Sequence, residues 1–198
     1  MTSFREAPQP DPEFDQAYAD LAVFHWDPSV TITEVPAPKR LAPFSIAFEA
    51  DLNDGLGIVG TGRLVLLHNP DRPAIWDGSF RCVSYIQSDA DMEMVLDPLL
   101  AEVGWSWLIE SLNKHGALHA APSGTVTAMS SRGFGDISTD PDRAEIEIRA
   151  SWTALIDADH SFADHLKAWQ DLLRLSAGLP PVVDGVVSIQ PRLGALQL

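Results

Sequence analysis

Residues 44–52, FSIAFEADL, alternate without a break. Phe44, Ile46, Phe48, Ala50 and Leu52 fall on one side of an extended chain, and Ser45, Glu49 and Asp51 on the other. The same period of two governs AEIEIRASWTAL (144–155), where Ile146, Ile148, Ala150 and Trp152 oppose Glu145, Glu147, Arg149 and Ser151. GRLVLLH (62–68) is apolar on both sides, the pattern of an interior strand. SFRCVSYIQ (79–87) and TVTAMSS (125–131) complete a predicted set of about five strands. VTITEV (30–35) has the β-branched composition of a further short strand.

Helical spacing appears in three places. PEFDQAYADLAVF (12–24) sets Phe14, Ala17, Tyr18, Leu21 and Phe24 on one face, after Asp11 as cap and Pro12 as first residue. SFADHLKAWQDLLRLSAG (161–178) is capped by Ser161 and stopped by Gly178 and Pro180. Between them lies DPLLAEVGWSWLIESLNKHGA (97–117), read as capped by Asp97 with Pro98 first. At about 100° per residue, Leu96, Leu99, Leu100, Val103 and Trp107 form one apolar sector. Ala101, Trp105, Leu108, Ile109 and Leu112 extend it most of the way round, leaving Glu102, Ser106, Glu110 and Asn113 as the polar stripe. A helix this apolar is expected to be buried on more than one side, with Trp107 toward the sheet. Gly104 costs a helix roughly 1 kcal/mol against alanine and predicts a close backbone approach. Gly104, Trp105 and Ile109 form a candidate seam, for helix packing or for a homodimer.

The predicted fold is α+β. An antiparallel sheet of about five strands carries a buried central helix and two flanking helices, in the order αβββαββα. Residues 13–181 form one domain, with a proline-rich tail at 1–12 and a second tail at 182–198. Charge narrows the function. Lys+Arg number 13 against 28 Asp+Glu, a formal net charge of −15. Nucleic acids and anionic membranes draw their affinity from basic side chains, so both are disfavoured as partners. Cys82 is the lone cysteine, which excludes an internal disulfide and a cysteine-based zinc site. No apolar run approaches the roughly 20 residues of a membrane span, and no apolar signal core opens the chain. A cytoplasmic location is expected.

Several motifs tempt and fail. GLGIVG (55–60) matches the dinucleotide fingerprint, yet a strand and Pro70 follow it where a helix is required. DADHSFADH (157–165) opens like a calcium loop, but Phe162 and Ala168 stand where glycine and glutamate are needed. HGALH (115–119) has no glutamate between its histidines and Gly116 ends the helix, so no metal is expected. No nucleophile elbow is present, and no catalytic residue or cofactor is assigned. Two groups keep a binding reading. In SSRGFGD (130–136), Arg132, Phe134 and Asp136 make an exposed aromatic flanked by charges. Arg63, Arg81 and Arg149 lie on three strands. If aligned they form an anion-binding row; otherwise they pair across strands with Glu49, Glu145 and Glu147.

PAPKRLAP, GRLVLLHNP, WDGSFRCVSY, DPLLAEVGWSWL, SGTV, EIRASWT and AWQDLL…AGLPP together resemble the actinobacterial domain of unknown function 3000 family, from about residue 13 to about 187. The resemblance implies an actinobacterial cytoplasmic protein and carries over no activity or catalytic residue. The loop SSRGFGDISTDPDRAE departs from the family pattern. The element order and acidity also look like class I secretion chaperones, small dimers that bind extended segments of other proteins, although no motif supports this. The expected role is a non-enzymatic protein-binding or assembly module, homodimeric in one form. The rival is a small-molecule-binding protein or enzyme with a tryptophan-lined pocket between sheet and helices.

Overall fold

The computed structural model describes residues 11–157 and 159–181. Apart from Asp11 and Pro12, both expected tails fall outside these residues. Strands β1 (Val30–Val35), β2 (Phe44–Asn53), β3 (Ile58–His68), β4 (Phe80–Asp89), β5 (His119–Ser131) and β6 (Arg143–Ala154) form one antiparallel sheet in the order β1-β2-β3-β4-β6-β5. Four helices accompany it: α1 (Pro12–Val23), α2 (Met92–Val95), α3 (Leu100–Lys114) and α4 (Phe162–Ser176).

The sheet therefore has six strands rather than five. VTITEV is a full edge strand in register with β2 from Val30↔Leu52 to Val35↔Ala47. Its alternation is weak because only Val30 is buried. With β1 and α2 added, the order becomes αββββααββα, which departs from the αβββαββα order on which the chaperone likeness rested.

Ile46, Phe48, Leu64, Leu66, Cys82, Ile86, Ile146, Ile148 and Trp152 bury one face of the sheet under the helices. α4 lies against β3, β4 and β6. Its Trp169 meets Phe48 and Trp26 edge-on, and its indole nitrogen donates to Ser84 Oγ at 2.8 Å. The ring occupies the space over Gly62: a Cβ there would stand 2.7 Å from Trp169 Cζ2. α1 is capped by Asp11, which accepts from the amides of Glu13 and Phe14. Asp20 of α1 in turn accepts from Ser161 Oγ (2.7 Å) and the Phe162 amide (3.1 Å), joining α1 to the positive end of α4.

α3 packs on β5 and α4. Gly104 supplies the expected close approach, and the neighbour is the sheet: a Cβ there would lie 3.0 Å from Val126 and 3.4 Å from Ile146. This orientation modifies two expectations. Trp105 reaches the sheet, its ring 2.9 Å from a Cβ placed on Gly124 of β5; Trp107, expected as sheet-side core, packs against the main core but is only half-buried. Leu96, Leu99 and Val103 stay exposed, so the sector expected to be buried is in part open. Asp97 also sits earlier than a cap should. It binds the Leu99 amide at 2.8 Å in a turn that precedes α3.

Among the described residues, the opposite face of the sheet is covered only at one end. Ala47, Val65 and Leu67 there pack with Ala42, Val35, Ala37 and Trp76 beneath the two proline-rich connectors.

Candidate functional site

On that second face, strand register builds a site no local motif announces. Glu49 stands opposite Arg63, Arg63 opposite Tyr85, Tyr85 opposite Arg149, and Arg149 opposite Thr125. One row of side chains thus crosses five strands. Two residues along, the next row is Ala47, Val65, Val83, Ser151 and Ser123, and the one after holds Arg81 and Thr153. Because side chains alternate between faces, these rows all point away from the helices. Arg63, Tyr85, Arg149 and Thr125 of the first row and Val65, Val83, Ser151 and Ser123 of the second line an open trough of about 550 Å³, and Arg81 lies just beyond it, behind Ser123 and Ser151.

The three arginines share this face, but their surroundings differ. Arg63 pairs across strands with Glu49 at 3.0 Å. Arg149 pairs with Glu147 on its own strand at 3.1 Å, and its guanidinium lies 5.6 Å from the centre of the Tyr85 ring. Tyr85 donates its hydroxyl proton to Glu147 at 2.9 Å, and that acceptor, with partial burial, holds the phenol above its ordinary pKa. Glu145, the third expected partner, accepts instead from Gln87 at 2.7 Å. Arg81 meets no carboxylate among the described residues. It donates to Ser151 Oγ (2.7 Å), Ser123 Oγ (3.3 Å), Thr153 Oγ1 (3.1 Å) and the Ala121 carbonyl (2.9 Å). That carbonyl is presented by a bulge: the β5–β6 register shifts between Ala120 and Ser123, with Ala121 at φ 45°. Partial burial lowers the Arg81 pKa from its ordinary value, and the group remains a cation at neutral pH.

The other candidate residues lie elsewhere. Arg132 is clamped by Asp142, with Nε and Nη2 at 2.8 and 2.6 Å from the same oxygen. Phe134 is 77% exposed, and Asp136 sits in a single 3₁₀ turn, Gly135–Ile137. Arg132 thus meets Asp142 rather than its loop neighbour Asp136. Gly104 is buried against the sheet, while Trp105 and Ile109 are half-buried on α3. The largest buried indoles, Trp152 and Trp169, satisfy their N–H groups internally, on His165 Nδ1 (3.1 Å) and Ser84 Oγ. They serve the core. Tyr85, Ser123, Ser151 and Thr153 were not singled out from sequence. Two alternations signalled some of them: Arg81, Val83, Tyr85, Gln87 places Tyr85 on the arginine face, and Glu145, Glu147, Arg149, Ser151 does the same for Ser151.

The chain matches, over residues 10–187, the model of a family described as protein of unknown function (DUF3000). It belongs to the DUF3000 family. No curated protein and no solved structure compared with it matches. The DUF3000 match spans every strand and helix described above, so the trough lies inside the family's shared region. Among the described residues of this DUF3000 chain, no helix is long and apolar enough to cross a membrane.

Proposed function

We propose that this chain is a non-enzymatic assembly module of the actinobacterial cytoplasm, associating by strand addition at β5, with a second copy of itself as partner. The supporting observation is the outer edge of β5. A free strand edge displays unpaired N–H and C=O groups, and proteins ordinarily blunt it with charge, proline or brevity. The opposite edge is blunted: β1 has six residues, carries Glu34 and lies between Pro28 and Pro36. β5 has 13 residues; Pro122 and the bulge at Ala121 interrupt its first part, but the stretch Ser123–Ser131 carries no proline and no charged side chain. Beyond its first two residues it is exposed everywhere except at half-buried Val126.

α2 and α3 both pack on β5 and bring apolar side chains to its neighbourhood. Leu96, Leu99 and Val103 are 70%, 56% and 43% exposed. An uncharged edge beside exposed leucines suits main-chain pairing backed by side-chain anchoring. Antiparallel pairing of two β5 strands is self-complementary about a two-fold axis, the commonest symmetry of soluble oligomers. The cytoplasmic assignment rests on the acidic composition and the lone cysteine.

Light scattering on the full-length chain tests this reading. A dimer is expected, and Thr127→Lys is expected to be a folded monomer. Thr127 stands opposite Glu147, so a lysine there gains a cross-strand partner at home while charging the edge. A wild-type chain that stays monomeric at all attainable concentrations, with β5 amides exchanging freely, excludes it.

A further inference from the structure

We infer that the trough on the open face of the sheet binds a flat organic anion, its carboxylate or phosphate held beside Arg81 by Ser123 and Ser151 and its apolar body lying on Val83 and the Tyr85 ring. This does not depend on strand addition at β5.

Charge carries the inference first. Three arginines among the described residues are half-buried: Arg63, Arg81 and Arg174. Arg63 meets Glu49 and Arg174 meets Asp27. Arg81 alone has only hydroxyls and a carbonyl around it, in a chain where acids outnumber bases by 28 to 13. A partly desolvated cation favours an anion nearby, and neighbouring hydroxyls do not supply one.

The hydroxyls identify where that anion sits. A hydroxyl that accepts from a guanidinium keeps its own hydrogen to donate. Thr153 directs its hydrogen to the Trp76 carbonyl. Ser123 and Ser151 are 3.2 Å apart and use at most one hydrogen on each other. At least one hydroxyl hydrogen, polarised by Arg81, is therefore left to donate at the wall of the trough. At the opposite end Arg63 and Arg149 already hold Glu49 and Glu147, which disfavours a second anion there.

Shape identifies the body. Val83 and the Tyr85 ring make the floor and Val65, largely covered by the connectors, borders it; all three stand on one face of adjacent strands. Rows two residues apart are about 7 Å from one another and strands about 4.8 Å apart, so a trough crossing β3, β4, β6 and β5 suits two or three fused rings. The volume of about 550 Å³ lies within the ~300–1,000 Å³ typical of small-molecule sites.

The test is amide-resolved NMR titration of the full-length chain with naphthoate, naphthyl phosphate and uncharged naphthol. Saturable shifts are expected at Val83, Ser123 and Ser151, and at least one of the two anions should bind about tenfold or more tighter than naphthol. Arg81→Gln should erase that preference. Val83→Glu, at an exposed site that tolerates a charge, should abolish anion binding even if the arginine variant does not fold. The inference is overturned by no saturable shift, by shifts outside the trough, by equal binding of naphthol, or by an affinity that Val83→Glu leaves unchanged.

Discussion

The indole nitrogen of Trp152 on β6 donates to Nδ1 of His165 on α4 across 3.1 Å, and both residues are buried. The bond requires Nδ1 to be an acceptor, which only the neutral imidazole provides. Burial first, and His119 second, lower the His165 pKa from 6.5 to about 4, against a smaller opposing effect of Asp164. Above pH 6.5 the ring is neutral in both folded and unfolded chains. Between 6.5 and 4 the unfolded chain takes up the proton first, so stability falls as pH falls, and the loss is complete below 4. The difference corresponds to roughly 3 kcal/mol. Urea unfolding at neutral and mildly acidic pH should show this slope. His165→Gln, which keeps an acceptor for Trp152 but does not titrate, should flatten it.

Gly62→Ala should destabilise the fold by about 1–3 kcal/mol, because the new methyl would lie 2.7 Å from a Trp169 ring already held by Ser84. Gly104→Ala meets Val126 at 3.0 Å and also gains helix propensity of about 1 kcal/mol, so its net effect should be smaller. Comparison of the two urea midpoints checks the order. Equal losses would refute the account of Gly62.

Asp20→Ala should cost about 1–2 kcal/mol. It removes the acceptor for Ser161 Oγ and the Phe162 amide at the N-terminus of α4, where a negative charge is favoured. Hydrogen exchange should show α1 opening more readily, with the central strands protected as before.

Cys82 faces the core of the sheet, and burial pushes its thiol well above the ordinary range, a nearby Arg81 only partly offsetting this. The native chain should leave a thiol-specific disulfide reagent unreacted at mildly alkaline pH and titrate one thiol in urea. Rapid labelling of the native chain would place Cys82 in a more open setting than this one.

Legibility in the sequence followed burial. β2 and β6 were plain because each has a buried and an exposed face, and β3 because it is apolar on both. β1 and the first half of β5 were not, because edge strands this exposed carry little alternation. The capping of α1 by Asp11 and of α4 by Ser161 was readable, since both are contacts within three residues. Arg63, Arg81 and Arg149 were visible as strand residues, but only Arg63 with Glu49 formed an expected cross-strand pair, since Arg149 took Glu147 of its own strand. That Arg81 would meet no carboxylate among the described residues was not visible. Its partners Ser123, Ser151 and Thr153 lie 42, 70 and 72 residues away.

The amino-acid order by itself determined the α+β class, the acidic surface and which residues of each clear strand share a face, because a period of two or 3.6 is a local property of the chain. Only the tertiary structure decided that β6 inserts between β4 and β5, and that α3 turns Gly104 and Trp105 toward the sheet. It likewise decided that Tyr85 and three arginines meet on one open face. Strand order and register are set by how separated segments bury their apolar faces against each other, and no window along the chain contains that information.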